Sequence, residues 1–381
     1  MRTNPDIANT ARQPRCIVKA GSAGPDVLMQ GWMNVEVTNN NLSSADTFHV
    51  SFATALLPDA YSVDWFSQLT DMYVGVYFGF PDDPQNFSAA DLKQFIYGQV
   101  DTVEYDPSAF VVNVSGRDLT RVFIDTKSTE KYVDLTSSQI ATKLAQKHGL
   151  TPQVTATKYK AGKYYKLDHV TMTDERSEWE LLNYLAEQED FVVYVRNQTL
   201  YFGPKPGDSA SPYTSDPYVI EWKPPTDNSP VSANVQTMNF SRALTVSRGI
   251  QVIIRSWNAR QAHGFTAQFP AKAKAIQAGK AKTFGGVQTF VRTIPNLTQE
   301  QADQKAQALY TQITQHEMKL TAELPGDVIL DTTSTIQVTG TSTAFDQIYY
   351  PDSITRRMSW DDGFSMSLSA KNMSPESQST L

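Results

Sequence analysis

A single cysteine, Cys16, stands in a chain of 381 residues. No internal disulfide can form, so no oxidising compartment is required. A lone thiol near the N-terminus reads as a small hydrophobe rather than a nucleophile. No apolar run approaches the ~20 residues that span a bilayer. The polar stretch from Met1 to Arg15 lacks the apolar centre of a signal peptide. These absences predict synthesis and folding in the cytoplasm without membrane insertion. Catalytic signatures are missing as well. The histidines, His49, His148, His169, His263 and His316, form no His-Glu-x-x-His array and have no cysteine partners for zinc. There is no Gly-x-Ser-x-Gly elbow, no Gly-x-x-x-x-Gly-Lys loop and no Gly-x-Gly-x-x-Gly. The expectation is a chain that is not an enzyme, with no catalytic residue, no metal and no cofactor.

Negative charge is absent from one long stretch. Between Asn228 and Gln299 there is no Asp or Glu, although the whole chain carries a net charge of −7. Arg242, Arg248, Arg255, Arg260, Lys272 and Lys274 lie there, followed by Lys280, Lys282 and Arg292. Such asymmetry marks a charged contact surface. The arginines up to Arg255 occupy strand or turn positions, and the first six cations are read as protein contacts. The alternative is a nucleic-acid-binding module over 242–292, because Phe265, Phe269, Phe284 and Phe290 are interleaved and could stack on bases. A second charge cluster holds Asp174, Glu175, Glu178, Glu180, Glu187, Glu189 and Asp190. A glycosidase needs two carboxylates held across a cleft. These spread along one predicted helix instead, Asp174 and Glu175 at the start that its dipole favours, and the rest read as a solvated face.

Alternating and aromatic patterns dominate what is present. Residues 1–115 read as short strands, with Phe48, Val50 and Phe52 on one face and His49, Ser51 and Ala53 on the other. Strands are expected at Met72–Phe80, Phe95–Val103 and Phe110–Val114, with a short helix near Ser62–Thr70; this spacing suits a barrel or sandwich. Residues 116–212 form an α/β domain. Thr136-Ser137-Ser138-Gln139 is a capping box opening a helix that Gly149 stops. A helix over Glu175–Gln188 presents Trp179, Leu182, Leu185 and Ala186, and a hairpin over Phe191–Val195 and Thr199–Phe202 follows. Seven prolines from Pro204 to Pro230 mark a connection. Strands return at 235–258, where Arg248-Gly249 is a turn. Ala259–Gly286 reads as an exposed loop. Thr298-x-x-Gln301 opens a helix of about 22 residues that reaches Leu320 and ends at Pro325-Gly326. Strands are expected at Val328–Leu330, Thr335–Val338, Gln347–Tyr349, Ile354–Trp360 and Phe364–Ala370. The domains predicted are 1–115, 116–212, 213–258 with 321–373, an insertion at 259–320 and a flexible tail at 374–381. The fold class is α+β, dominated by β-structure.

Thr173–Pro204 contains Asp-Glu-Arg-Ser-Glu-Trp, then Leu-Ala-Glu-Gln-Glu-Asp-Phe, then Leu-Tyr-Phe. This run resembles the late control gene D family of phage tail proteins. Ser115-Gly116-Arg117-Asp118-Leu119-Thr120 is similar to that family's Gly-Arg-Asp-Leu junction, and Ser138-Gln139-Ile140-Ala141 to the opening of its next helix. The resemblance implies that Arg176, Trp179, Leu182, Leu185, Phe191 and Tyr201 form a packing unit. It also implies two tail-tube-like β-barrels flanking the α/β domain, with the helical insertion in the second barrel. The implied role is the hub of a contractile-tail baseplate in the virion: a homotrimer whose ring joins the sixfold tube to a separate threefold spike. The tail tube protein, the central spike protein, other baseplate proteins and the tape measure protein are the implied partners. DNA would only pass through the channel, so the cations of 242–292 are expected to face proteins rather than the lumen.

Overall fold

The computed structural model describes residues 13–372 apart from 23, 25, 42–43, 128–129, 131, 133, 159–160, 162–175, 190, 205–216, 227–228, 244–249, 259–262, 272–287, 295–296 and 315–317. Two compact units divide the chain. The first comprises Met1–Tyr218, Glu323–Ser334 and Pro351–Leu368; the second comprises Val219–Ala322, Thr335–Tyr350 and Ser369–Leu381. In chain order the strands are β1 (Arg15–Gly21), β2 (Val27–Met29), β3 (Trp32–Asn40), β4 (Thr47–Ala53), β5 (Tyr73–Gly79), β6 (Lys93–Asp106), β7 (Val111–Asp118), β8 (Thr151–Val154), β9 (Phe191–Arg196) and β10 (Thr199–Pro204). They continue as β11 (Tyr218–Lys223), β12 (Ser232–Ala233), β13 (Thr237–Arg242), β14 (Ile250–Asn258), β15 (His263–Phe269), β16 (Gln288–Thr293), β17 (Met318–Pro325), β18 (Ile336–Thr339), β19 (Ile348–Ser359) and β20 (Gly363–Lys371). The helices are α1 (Val63–Ser67), α2 (Arg121–Asp125), α3 (Ser137–Lys147), α4 (Glu178–Glu189) and α5 (Gln299–Thr314).

The first unit is built on an antiparallel sheet in the order β19-β3-β4-β7-β6-β5-β1-β2, an open path among the described residues. Alternation sets its buried face. Val35 and Val37, Phe48, Val50 and Phe52, Val74, Val76 and Phe78, and Val112 and Val114 form one core, which Phe66 of α1 enters. Each such side chain contributes about 1.5–3 kcal/mol when fully buried. Phe48 depends on the absence of a neighbouring side chain. A Cβ at Gly116 would lie 2.7 Å from its Cζ and 2.2 Å from the Gln99 carbonyl oxygen. A Cβ at Gly98 would lie 2.7 Å from its Cε1. The glycines of β6 and β7 therefore give the ring its seat.

Behind this sheet the first unit carries a smaller α/β layer. β9 and β10 are antiparallel and β8 joins β10 in parallel. α2, α3 and α4 bury Phe123, Ile140, Leu144, Trp179, Leu182 and Leu185 against Val193, Val195, Leu200 and Phe202. α3 opens with the expected capping box: Thr136 N–H donates to Gln139 Oε1 at 2.9 Å and Gln139 N–H to Thr136 Oγ1 at 3.3 Å. Gly149, at φ +71°, ends it in the left-handed region.

In the second unit β11 pairs with β12 and β18, and β13 with β17. A separate sheet in the order β15-β14-β16 packs one face on α5. Ile250, Val252, Ile254 and Ala267 meet Ala302, Ala306 and Tyr310 there.

Several expectations are corrected. The long helix stops at Thr314, and Leu320 belongs to strand β17 instead. Met318, Leu320, Ala322 and Leu324 are buried while Lys319, Thr321 and Glu323 are exposed, a period of two that overrides the helical spacing. His263–Phe269 is a strand rather than loop, because Phe265, Ala267 and Phe269 supply one face of the α5 core. Val328–Leu330 is not a strand. The Asp327 carboxylate takes the N–H groups of Ile329 and Leu330, and Arg356 takes two carbonyls of the same loop, which occupies the groups a ladder would need. The C-terminal border also differs, since Ser353–Ser359 of β19 pairs with β3 inside the first unit. The Arg248-Gly249 turn lies outside the described residues. Replacing Gly116 with Ala is expected to lower stability by about 1–3 kcal/mol through overpacking at Phe48; urea unfolding of the full chain would measure it.

Candidate functional site

The α4–hairpin motif folds as a unit whose local chemistry is legible. Ser177 caps α4: its N–H donates to Glu180 Oε2 at 3.1 Å, and Glu180 N–H donates to Ser177 Oγ at 3.2 Å. Trp179, Leu182 and Leu185 enter the core, with Phe191 at its edge and its ring 5.6 Å from that of Phe202. Tyr201 stacks on Tyr194 at 4.7 Å, on the hairpin face opposite Val193, Val195, Leu200 and Phe202. The period of two in a strand puts Tyr201 there, away from the helix. Arg176 is exposed and lies outside the packed set. Asn197, at φ +53°, makes the hairpin turn.

The carboxylates of this motif differ from a uniformly solvated face. Glu178 is fully buried. Its Oε1 lies 2.5 Å from Lys147 Nζ and its Oε2 2.5 Å from His148 Nε2. His148 sits edge-on to Phe123 at 4.9 Å. A buried carboxylate persists only when paired, and two consecutive residues at the end of α3 supply both partners. Glu189 accepts a hydrogen bond from Ser137 Oγ at 2.8 Å. Glu180 and Glu187 are exposed, and Asp174, Glu175 and Asp190 lie outside the described residues. Pinning a first-turn glutamate to the end of α3 fixes the two helices together; it does not build a cleft with two free carboxylates.

The Gly-Arg-Asp-Leu segment divides its labour. Arg117 binds Asp101, Nε to Oδ2 at 2.6 Å, and approaches Asp125 at 3.3 Å. Asp118 is buried, receiving Thr120 Oγ1–H at 3.0 Å and Thr120 N–H at 3.1 Å. Leu119 enters the α/β core. Asp118 leads into a buried charge network that sequence reading missed. Its N–H donates to the Asp46 carbonyl at 2.9 Å. The Asp46 carboxylate receives Asn39 Nδ2–H at 2.9 Å and Asn40 N–H at 2.7 Å. Burial pushes the Asp46 carboxyl up to about 6, against those hydrogen bonds. Burial and the neighbouring Asp46 charge raise Asp118 well above the ordinary range. Asp331 behaves in the opposite way. Burial opposes its charge, yet Arg196 at 3.0 Å and Lys93 at 3.5 Å, with the Thr333 N–H, hold it down at about 2.

Arg356 ties this network together. It is 1% exposed. Its Nε donates to the Asp327 carbonyl at 2.9 Å, its Nη2 to the Leu330 carbonyl, and its Nη1 to Asn39 Oδ1 at 3.3 Å. The guanidinium lies 4.2 Å from the centre of the Phe95 ring. Burial draws its pKa down to about 10, a value that still leaves it charged at neutral pH.

The basic stretch is only partly described. Arg242, Arg255 and Arg292 are exposed, whereas Arg248, Arg260, Lys272 and Lys274 lie outside the described residues, as do Lys280, Lys282 and Phe284. Phe265 and Phe269 pack against the α5 core, so they do not form a stacking platform for bases. Among the described residues no group of three or more His, Cys, Asp or Glu side chains could hold a metal ion. No described helix is long and apolar enough to cross a membrane.

No family model matches the sequence, and no curated protein matches it. Solved structures do match along nearly the full length. A tail protein from Neisseria meningitidis aligns with a TM-score of 0.65 at 15% identity, covering 94% of this chain and 97% of its own. The 43 kDa tail protein of a Shewanella oneidensis prophage aligns at 0.63 and 16% identity, covering 93% and 97%. The chain has the fold of phage tail proteins. An Escherichia coli component of the type VI secretion system shares this tail-protein fold at a TM-score of 0.50 and 11% identity, over 95% of this chain and 78% of that one.

Two measurements test this charge arrangement within the tail-protein fold. The double variant Lys147→Met/His148→Phe strands the buried Glu178 carboxylate and is expected to cost about 3–5 kcal/mol. Asp82→Asn, at an exposed position, should stay within about 0.5 kcal/mol. The pH dependence has two signs. Asp46 is raised in the folded state, so its contribution is full below about 3.8 and is lost as pH rises through about 6. Asp331 is lowered, so its contribution is present above 3.8 and lost as pH falls through about 2. Urea denaturation across pH should show Asp46→Asn removing a loss of at most about 3 kcal/mol between pH ~4 and ~6. Asp331→Asn should instead flatten the acid limb.

Proposed function

We propose that this chain is a hub subunit of a phage-type contractile tail, forming a trimeric ring between the sixfold tail tube and a threefold central spike. The observation that carries the reading is the full-length match to two tail proteins, one of them from a prophage, over 93–94% of the chain. Shared architecture over the whole length, rather than over one module, favours a shared role in tail architecture. The β-dominated units with an α/β layer are compatible with two tube-like barrels per subunit. Three subunits would then present six barrels to the tube and three equivalent faces to the spike, a symmetry conversion that a closed ring supplies. The residues support a mechanical role. Charge is used inward: Glu178, Asp331 and Arg356 lock helices, loops and strands together. A rigid ring element that transmits force needs such cross-links more than it needs a cleft.

In this reading the tube protein, the central spike, other baseplate proteins and the tape measure protein are the contacts, DNA meets the ring only in transit, and the site of action is the virion baseplate. The exposed Arg242, Arg255 and Arg292 serve protein contacts. Purified full-length protein, mixed with the tube and spike proteins of the same particle, is expected to bind both and to give a complex containing three copies. A chain that binds neither, or that binds duplex DNA with a steep salt dependence in their place, contradicts the proposal.

A further inference from the structure

β6 outruns the strand beside it. β5 pairs with it from Lys93 to Gln99 and no further, the last ladder partner being Tyr73. One more backbone bond, from Val100 N–H to the Met72 carbonyl at 2.9 Å, ends that side. On its other side β6 stays paired with β7 as far as Asp106. The register shifts between Val100 and Thr102, so a bulge falls where β5 gives out. Asp101–Asp106 is therefore an open strand edge: among the described residues no backbone bond reaches its free side. Such an edge presents a row of N–H and C=O groups able to pair with another strand.

A groove of about 430 Å³ lies at this edge, lined by Val103 and Tyr105 of β6, Val63 and Phe66 of α1, and Leu69. That volume falls within the ~300–1,000 Å³ of ordinary ligand pockets. Phe66 is buried at its base, and Tyr105 is 47% exposed. Register sets Val103 beside Val114 and Tyr105 beside Val112, on the buried face of the sheet. Thr102, Glu104 and Asp106 alternate with them on the other face, and all three are exposed. A strand laid along this edge meets an apolar wall on one face and carboxylates on the other.

The charge here has one sign. α1 and the Leu69–Met72 segment belong to a stretch, Ala20–Leu92, without Lys or Arg. Arg117 and Arg121 are bound to Asp101 and Asp125. Asp64, Glu104 and Asp106 are exposed and form no ion pair among the described residues.

We infer that the free edge of Asp101–Asp106 takes up an extended segment of another protein by strand addition, a segment in which apolar residues alternate with Lys or Arg. Its apolar side chains enter the groove beside Val63, Leu69 and Tyr105. Its cations stand next to Glu104 and Asp106 as cross-strand pairs of opposite charge. Main-chain hydrogen bonds supply affinity, while the groove and the carboxylates select the sequence. An acidic strand is repelled from the same edge. The contact does not depend on the hub reading.

The test is fluorescence anisotropy of a labelled Lys-Val-Lys-Val-Lys-Val-Lys peptide titrated with the full chain. Saturable binding of one peptide per chain is expected. The same peptide N-methylated at every residue lacks main-chain donors, and Glu-Val-Glu-Val-Glu-Val-Glu reverses the charge; each should bind about tenfold more weakly or worse. Glu104→Lys/Asp106→Lys and Tyr105→Ser should each weaken binding about tenfold, with the thermal midpoint held within about 3 °C because all three positions are exposed. Asp82→Lys, an exposed charge reversal outside the groove lining, should leave binding within about twofold. Equal binding of the N-methylated peptide, unchanged binding in the groove variants, or no saturable binding overturns the inference. Self-association that needs Tyr105 and that the peptide leaves intact also overturns it, assigning the edge to a second copy. Failure here spares the hub role, and a chain that binds the peptide but neither tube nor spike protein contradicts the hub role alone.

Discussion

The guanidinium of Arg356 is the constraint on which the first unit depends. It is a buried cation whose donors are spent on backbone carbonyls of Asp327 and Leu330 and on the Asn39 side chain. Asn39 and Arg356 are 317 positions apart in the chain. A cation in this position costs several kcal/mol to dehydrate, and the Phe95 face and the fixed carbonyl dipoles offset that cost. The consequence is specificity of connection. β19 must lie against β3, and the 327–330 loop must fold back on itself, before the charge is satisfied. Asp331, one residue beyond that loop, then takes Arg196 of the hairpin and Lys93 of β6. Thus the loop, the sheet and the α/β layer are joined through the buried Arg356 and the partly exposed pairs of Asp331.

Much of the local structure was readable because it follows from short-range chemistry. Thr136 and Gln139 cap α3, Gly149 ends it, and the alternation of Phe48, Val50 and Phe52 sets a buried face. The Ser177–Glu180 cap was equally available as a Ser-x-x-Glu signature, but the acidic pair Asp174-Glu175 drew the predicted helix start too early. The α5–β17 border was misread for a different reason. Leu320 fits a helical stripe continued from Leu309 and Ile313, and it also fits the alternation from Met318 to Leu324; tertiary burial chose the second.

What the sequence could not disclose is long-range pairing. Nothing in the spacing of Lys147, His148 and Glu178 announces a buried triad, since it forms only when α4 packs on α3. Arg356 was likewise one cation among many until β19 met β3. The family resemblance implied a packing unit; Trp179, Leu182 and Leu185 lie in the α/β core, whereas Tyr201 faces away because hairpin register, invisible in a motif, decides the side. Of the six candidate protein-contact cations, Arg242 and Arg255 are exposed and the other four lie outside the described residues.

The proposed hub role asks for a subunit that holds its neighbours in register under load, and a tail-protein fold braced by internal charge is compatible with it. The central claim concerns position and copy number in an assembled tail. The most direct measurement is a cryo-electron reconstruction of intact particles that carry this chain. The account predicts three copies closing a ring at the junction of tube and spike. A reconstruction placing the chain elsewhere in the particle, or in a copy number incompatible with a threefold ring, would contradict it.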